Sequence, residues 1–303
     1  MRVITLVNTT SGAVRRLGAD ELKQTFTSAL RDHGIAAKLM LADGPSIKKA
    51  AEQGILHVRR RNFDAVVVAG GDGFGRHCCW RRCKHLGAVG YTATRTLNHF
   101  AKDLGIPTDL DGAVALIAAG HVRQVDAAEV NGRVFVNNSS IGPYPHMVLS
   151  RERWRARRLR SKWTATALAF LRTFRDFPGS RLEIRAEGRD DVCGTPCVFV
   201  GNNEYRTNLF EHVGRASLDS GELSIVVLRP RARSSLLWLG IRLAFGLELH
   251  QEDVTRYRSR AAEILSPASS LLVALDGEVA TVRTPLIYRS RPEALRVFAS
   301  PVD

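Results

Sequence analysis

The first third of the chain alternates apolar runs of strand length with stretches that have helical spacing of apolar residues. They follow one another in the order strand, helix, strand, helix, strand. The segments are residues 3–7, 19–33, 36–41, 46–60 and 65–68. Such alternation predicts a parallel sheet with helices on both faces, in which ligands bind at the carboxyl ends of the strands.

The second half of the chain has a different pattern, dominated by short strand-like runs. These runs are residues 125–130, 134–136, 182–186, 198–200, 223–228, 271–275 and 295–298. A basic helical stretch, 151–174, and a very apolar one, 234–249, lie between them. The pattern predicts a β-sandwich. We expect an N-terminal α/β domain over 1–125 and a β-rich domain over 126–303, and we leave open whether the last strands return to the first domain.

Two of the predicted strands end in residues suited to binding phosphate. The apolar run 64–69 leads directly into Gly70-Gly71-Asp72-Gly73. Glycines let backbone N–H groups approach an anion closely, and Asp72 can face a metal or a polar ligand. The first predicted strand leads into Asn8-Thr9-Thr10-Ser11-Gly12, which can offer backbone and hydroxyl donors to a phosphate, although such residues are usually only a turn.

The charge of the chain predicts an anionic partner. The 303 residues carry a formal net charge of +14, which suits nucleic acid, a phosphate-bearing small molecule or an anionic membrane surface. Segment 151–163 interleaves arginine with Trp154 and Trp163. This composition suits a helix lying on anionic lipid, and the alternative is a solvated basic face with tryptophan turned into the core. We expect a membrane surface and no nucleic acid.

The chain has no sequence signal for secretion or for a membrane span. No run approaches the roughly 18 apolar residues of a span, and the first apolar stretch is too short for a signal peptide. Five cysteines in 303 residues do not make a disulfide scaffold, so we expect reduced thiols. The expectation is a soluble cytoplasmic protein, peripheral at the inner face of the membrane.

Three further motifs complete an ordered set with Gly70 to Gly73. They are Thr96 to Pro107, Val125 to Gly132, and Asp276-Gly277-Glu278. With them the chain resembles the soluble bacterial diacylglycerol kinases and their relatives, the sphingosine kinases and, more remotely, the NAD kinases. The resemblance implies an N-terminal doubly wound α/β nucleotide domain like that of phosphofructokinase, and a C-terminal β-sandwich domain like that of NAD kinase.

The resemblance also implies an activity, in which the γ-phosphoryl group of Mg²⁺-ATP is transferred to a lipid hydroxyl. Diacylglycerol is the leading acceptor, and its product is phosphatidic acid. A kinase for another lipid or for a soluble acceptor, and a non-catalytic lipid-binding relative, are the alternatives. A homodimer is left open.

Individual residues acquire roles from the resemblance. The nucleotide and its phosphates would be bound by Asn8, Ser11, Gly12, Gly70, Gly71, Asp72, Gly73, Thr96 and Asn98. Asp72 would also lie next to Mg²⁺ or the transferred group, and Asp126 would orient the acceptor hydroxyl. Glu278 would be the general base for that hydroxyl. The alternative for Glu278 is a carboxylate in a hairpin turn, since Asp-Gly is a common hairpin signal.

A second metal site is implied with one departure from the family. Asp219, Ser220 and Glu222 lie in a segment that resembles a loop holding a structural Mg²⁺. The family's usual Asp immediately before the glycine is Ser220 here. This departure puts the metal site in doubt.

Residues 74–95 do not follow the family pattern. The segment has no helical stripe and no acidic residue. It holds the metal-ligand types His77, Cys78, Cys79, Cys83 and His85, but their spacing is poor for zinc. We interpret the segment as the product of a double frameshift, because a reading frame shifted by one nucleotide permits a Thr-Val-Ala-Gly helix start and an Ile-Pro pair near Thr96.

The frameshift hypothesis bears on activity. As written, Phe74 stands where the family has Thr, and Arg95 stands where it has a glycine close to phosphate. Loss of the family's buried helix and strand is also expected to expose core. Whether this exact chain is active and stable is therefore left open.

Overall fold

The chain divides into two compact units. The structure, a computed structural model, describes residues 1–9, 19–43, 46–70, 89–93, 99–146, 148–149, 180–186, 189–195, 197–205, 215, 217–229 and 254–301. The first unit consists of Met1–Ala127 and Pro292–Asp303, and the second of Ala128–Arg291. The chain therefore passes from one unit to the other twice.

The first unit is built around a parallel sheet. Its elements are β1 (Arg2–Asn8), α1 (Ala19–Asp32), β2 (Ala36–Ala42), α2 (Ile47–Arg59), β3 (Ala65–Gly70), β4 (Val89–Ala93), α3 (His99–Asp103), α4 (Leu110–Ala119), the first part of β5 (Val122–Val130) and the last part of β16 (Leu286–Phe298). The strand order is β2-β1-β3-β4-β16, and each neighbouring pair is parallel. The five elements predicted from the first third of the sequence are confirmed.

Hydrophobic burial explains this arrangement. All of residues 3–7 of strand β1 are buried, and they are apolar except for Thr5. Residues 65–69 of β3 are also all buried, as expected for parallel strands covered on both faces. Helix α1 contributes Leu22, Phe26 and Leu30, which are spaced four residues apart and are at most 4% exposed. They pack against side chains of β1 and β3. The helical and strand periods of the sequence thus meet in one core.

The anomalous segment contributes a strand to this sheet. Strand β4 pairs in parallel with β3, with Val66 opposite Val89 and Gly70 opposite Ala93. The expectation that this chain lacks the family's strand here is therefore wrong for residues 89–93. The reason is that Val89-Gly90-Tyr91-Thr92-Ala93 still offers strand-forming residues and a backbone that can complete the sheet beside β3. Residues 71–88 and 94–98 lie outside the described residues, as do the five candidate zinc ligands.

The second unit is a β-sandwich. Its elements are the end of β5, β6 (Arg133–Phe135), β7 (Asn138–Ile141), β8 (Ser180–Ala186), β9 (Arg189–Thr195), β10 (Val198–Asn202), β11 (Leu223–Leu228), β12 (Val254–Ser259), β13 (Ala261–Leu265), β14 (Ser270–Leu275), β15 (Glu278–Arg283) and the first part of β16. One antiparallel sheet has the order β12-β11-β10-β7-β14-β15. The other has the order β16-β13-β8-β9.

The two sheets of this unit share one core. Leu182, Ile184 and Ile264 from one sheet cluster with inward-facing residues of β10, β11 and β14 from the other. Alternation of buried and exposed residues along β8 and β13 matches a sheet with one face in the core. The predicted fold class, an α/β domain with a β-sandwich domain, is confirmed. Five strands of the second unit, β7, β9, β12, β13 and β15, are additional to those predicted.

The two helical stretches predicted from the sequence at 151–174 and 234–249 fall outside the described residues. Among the helices that the structure does describe, none has the length and apolar character needed to cross a bilayer.

Candidate active site

The carboxyl edge of the parallel sheet contains a topological switch point. The chain runs from β1 to β2 on one side of β1 and then to β3 on the other side. Crossovers leave in opposite directions from such a point, which opens a crevice where ligands of doubly wound sheets bind. Val7 pairs with Ala69 in the register of β1 and β3, so Asn8 and Gly70 end adjacent strands at this switch point.

Of the predicted nucleotide-site residues, Asn8 and Gly70 belong to the described part of the chain. Asn8 is half-buried, and the next residue, Thr9, donates from its backbone N–H to the carbonyl of Ala42 at the end of β2, at 3.0 Å. The other predicted nucleotide-site residues lie outside the described part of the chain. They are Ser11, Gly12, Gly71, Asp72, Gly73, Thr96 and Asn98.

Asp126 lies in β5, within the first unit. Asp126 is only 1% exposed, and its Oδ1 accepts a hydrogen bond from the backbone N–H of Glu293 at 2.8 Å. Glu293 belongs to the same unit and has a positive φ of 52°. The carboxylate is therefore held by the returning strand β16, which sequence reasoning did not connect with it.

Glu278 is the first residue of β15, directly after a tight hairpin turn. Leu275 of β14 pairs with Glu278, which leaves Asp276 and Gly277 as the two turn residues. Their φ angles are 48° and 82°, as a type I′ turn requires. A Cβ on Gly277 would meet nothing within 4 Å, so the backbone conformation, not crowding, favours glycine there. The turn brings half-buried Glu278 to one end of the six-stranded sheet.

The carboxylate of Asp276 fixes this turn to the neighbouring strand. Its Oδ2 accepts from the backbone N–H of Val136 at 2.9 Å. Its Oδ1 accepts from the N–H groups of Asn137 and Asn138 at 2.8 and 3.2 Å. The N–H of Asp276 in turn donates to the carbonyl of Asn138 at 2.9 Å. Asp276 thus holds the segment before β7 and positions the residue two places further on, Glu278.

A buried arginine supports the same segment from its carbonyl side. Arg215 is 7% exposed, and its Nη1 donates to the carbonyls of Val136 and Asn202 at 2.6 and 3.3 Å. Its Nη2 donates to Oδ1 of Asn137 at 3.3 Å. Asn202 adds a bond from Nδ2 to the carbonyl of Val136 at 2.9 Å. Backbone donors at 136–138 therefore face Asp276, while the carbonyls of Val136 and Asn137 face Arg215 and Asn202.

The three residues of the implied metal loop lie just before β11. The backbone N–H and Oγ of Ser220 both donate to Oδ1 of Asn203, at 3.1 and 2.5 Å. Asp219 accepts from Oγ of Ser217, and its N–H donates back to that oxygen at 3.0 Å. The N–H of Asn203 donates to the carbonyl of Glu222 at 3.0 Å. The second unit thus contains both this loop and the Glu278 turn.

Two ionisable groups of the second unit, the Tyr288 hydroxyl in the core and the half-buried Cys197 thiol, are held neutral. Burial raises the pKa of the Tyr288 hydroxyl, and a 2.9 Å hydrogen bond with the Ser139 hydroxyl opposes this rise in part. Burial of the thiol raises the pKa of Cys197 to about 12. Neither group is therefore suited to proton transfer near neutral pH.

Comparison with known proteins identifies the family. Residues 2–130 match the model of the diacylglycerol kinase catalytic domain, and residues 147–299 match the YegS C-terminal NAD kinase beta sandwich-like domain. The chain belongs to the diacylglycerol kinase family. The resemblance drawn from the motifs is thereby confirmed, and the protein is assigned to the lipid-kinase class.

Individual members of the diacylglycerol kinase family are distant from this chain. A diacylglycerol kinase of Staphylococcus saprophyticus is 24% identical over 225 residues, which are 72% of this chain and 71% of the relative. One from Staphylococcus aureus is 24% identical over 245 residues, with coverage of 78% and 75%.

Solved structures show the same fold. The crystal structure of a diacylglycerol kinase from Bacillus anthracis strain Sterne has a TM-score of 0.68 at 19% identity and covers 99% of this chain and 97% of that one. Another structure from this organism has a TM-score of 0.73 at 19% identity, with coverage of 99% and 98%.

Sequence reasoning missed the residues that support the family's Asp-Gly-Glu motif in this protein. The Asp-Gly signal pointed to the turn, but not to the three backbone donors that meet the Asp276 carboxylate. Nothing distinguishes Arg215 among 44 lysines and arginines in the sequence. The buried pair Asn202-Asn203 is the one available signal, because adjacent asparagines at the end of an apolar strand are unusual in a core.

Proposed function

We propose that the protein is an ATP-dependent lipid kinase that transfers the γ-phosphoryl group of ATP to a lipid hydroxyl. Diacylglycerol is the acceptor we favour, with phosphatidic acid as product. The observation that carries the proposal is the switch point between β1 and β3, where Asn8 and Gly70 end adjacent parallel strands. Nucleotide phosphates bind at such points, and the sequence continues from Gly70 into two further glycines and Asp72.

The residues at the switch point are suited to a nucleotide because they offer backbone N–H, hydroxyl and amide donors to its phosphates. Gly70 ends a strand whose residues 65–69 are fully buried, so the loop that follows starts from a rigid element. Asn8, Ser11, Gly12, Gly70 to Gly73, Thr96 and Asn98 are the residues that we propose bind the nucleotide. Mg²⁺, held in part by Asp72, would neutralise charge on the phosphates.

The acceptor side of the reaction is assigned to two carboxylates. Glu278 would take the proton of the lipid hydroxyl while that oxygen attacks the γ-phosphorus and ADP leaves with the bridging oxygen. The type I′ turn and the three bonds to Asp276 support this role, because they hold Glu278 on a fixed element. Asp126 would orient the acceptor hydroxyl, and its bond from the Glu293 N–H fixes one of its oxygens.

The net charge of +14 supports an anionic membrane surface as the place of action. The acceptor would enter from the inner leaflet, with the protein cytoplasmic and peripheral. Segments 151–163 and 234–249 are the proposed docking helices, on their composition. A homodimer remains a prediction.

Lipid phosphorylation on a panel of acceptors tests the proposal. Purified protein is incubated with labelled ATP and vesicles containing diacylglycerol, a sphingoid base or extracted total lipid, and labelled lipid is measured. Glu278→Gln keeps the shape of the side chain but removes the base, so turnover should fall by about 10²–10⁴-fold. Glu263→Gln, a half-buried carboxylate on β13 that pairs with Arg185 at 3.6 Å, is the matched control and should keep the parent rate. Equal rates for the parent and Glu278→Gln would refute Glu278 as the base.

A non-catalytic lipid-binding protein is the second candidate, and Phe74 and Arg95 favour it. These residues stand where the family has Thr and Gly beside the phosphates. The same assay on a chain with residues 74–95 restored to the alternative reading frame separates the two candidates. Turnover after restoration supports the kinase, and vesicle binding without turnover in both chains supports the lipid-binding protein.

A further inference from the structure

The loop that should hold a structural Mg²⁺ lacks the donors for one. Residues 217–222 contain two carboxylates, Asp219 and Glu222, with Ser220 where the family has Asp. In the described parts of the chain, no three His, Cys, Asp or Glu side chains are grouped closely enough to hold a metal ion. Mg²⁺ requires near-octahedral oxygen ligands, and Ca²⁺ requires six to eight. With one carboxylate fewer than the family pattern, the loop does not fit the cation that the resemblance implies.

A side chain from the end of the neighbouring strand β10 binds the residue that stands in place of the missing carboxylate. Oδ1 of Asn203 accepts both the N–H and the hydroxyl of Ser220, at 3.1 and 2.5 Å. The N–H of Asn203 donates to the carbonyl of Glu222 at 3.0 Å. One residue thus binds the loop at two points, on either side of Gly221. This is the cross-linking that a bound cation provides in a metal loop.

Asn203 is suited to this role by its burial and its backbone. It is fully buried, and its φ of 67° lies in the left-handed region that asparagine tolerates better than most residues. Its Nδ2 has no hydrogen-bond partner among the described residues, so the buried amide also presents donor hydrogens. The oxygen of the same amide is the atom that contacts the loop.

Electrostatics near the loop also disfavour a cation. The guanidinium of Arg215 donates to the carbonyl of Asn202, the residue immediately before Asn203. Arg215 is 7% exposed, so its positive charge is poorly screened by water. The loop begins two residues after Arg215, so a cation bound there would add a second positive charge to this part of the unit, with the two carboxylates Asp219 and Glu222 to balance both.

We propose that Asn203 replaces the structural cation of the family, so that the 217–222 loop is held in place without a metal ion. Leu218, 4% exposed, anchors the loop in the core, and the Ser217–Asp219 bonds close its first turn. Asn203 directly follows Asn202, whose side chain donates to the carbonyl of Val136. Val136 belongs to the segment whose N–H groups bind the Asp276 carboxylate. The proposal does not depend on the kinase activity, since it concerns the stability of a loop.

Amide hydrogen exchange in the full-length, nucleotide-free protein tests the proposal locally. Peptides covering 217–228 are followed by mass spectrometry in EDTA and in millimolar MgCl₂ or CaCl₂ at matched ionic strength. We expect the same exchange rates in all three solutions. Asn203→Gly, which keeps the positive φ but removes the amide, should speed exchange at least about fivefold in every solution.

A variant that restores the family's carboxylate is the matched control. In the Ser220→Asp variant, amide exchange of the 217–228 peptides should become slower when Mg²⁺ is added, because the loop then has a third carboxylate. Slower exchange of the parent loop in Mg²⁺ or Ca²⁺, by as much as in Ser220→Asp, would overturn the proposal. So would an Asn203→Gly variant whose loop exchanges at the parent rate in EDTA.

Discussion

Removing the Asp276 carboxylate should destabilise the second unit more than any surface substitution. The side chain accepts from three backbone N–H groups, at 2.8, 2.9 and 3.2 Å. In Asp276→Ala all three donors lose their partner at once. Hydrogen bonds to charged groups contribute about 1.5–3 kcal/mol each where water is excluded.

The magnitude must be reduced for exposure. Asp276 is half-buried, so water can reach some of the donors in the variant. We take about 1 kcal/mol for each bond, or about 3 kcal/mol in total. For a unit of this size 1 kcal/mol lowers Tm by about 2–4 °C, so the expected fall is about 6–12 °C.

Differential scanning calorimetry of the full-length chain measures this effect. Asp276→Asn should fall between the parent and Asp276→Ala, because it keeps one acceptor oxygen but turns an NH₂ group toward a backbone donor. Asp190→Ala is the control, since Asp190 is an exposed aspartate on β9 of the same unit, and its Tm should stay near that of the parent. A Tm for Asp276→Ala within about 1 °C of the parent would refute the reasoning.

Four further outcomes follow from the side chains of Arg215, Asp109 and Cys197. Arg215→Met should destabilise the protein by about 2–4 kcal/mol in urea unfolding, and Arg215→Lys by less, because lysine can still reach one of the carbonyls at 2.6 and 3.3 Å. Asp109 caps α4 by accepting from the Gly112 N–H at 2.7 Å, so Asp109→Ala should cost about 0.5–2 kcal/mol, whereas Asp109→Asn should cost little. The thiol of Cys197, whose pKa is raised from 9.0 to about 12, should react with iodoacetamide more slowly in the native protein than in the unfolded protein at the same pH, as peptide mass spectrometry can show. Its contribution to stability is full below pH 9 and is lost as the pH rises toward 12, so Cys197→Ala should narrow the Tm difference between pH 8 and pH 10.5. Labelling of Cys197 in the native protein as fast as in the unfolded protein would contradict the raised pKa.

The sequence determined the fold class and the ends of the elements that matter for the nucleotide. The period of apolar residues is a local property, and burial of residues 3–7 and 65–69 on both faces follows from it. Gly70 is recognisable because a glycine that ends an apolar strand and leads into Gly71 and Asp72 is typical of a phosphate-binding loop. The Asp276-Gly277 turn was likewise readable, since two successive positive φ angles require such residues.

Only the tertiary structure decided how the motif carboxylates are held. The partners of Asp276 lie about 140 residues away in the chain, and the donor to Asp126 lies 167 residues away. These donors are backbone N–H groups, which nearly every residue type has, so the sequence does not indicate which of them bind the carboxylates. Strand β4 shows the same limit, because residues that broke the family pattern still completed the sheet beside β3. Ser220 was visible as a departure, but the residue that compensates for it, Asn203, became visible only when two strand ends were brought together.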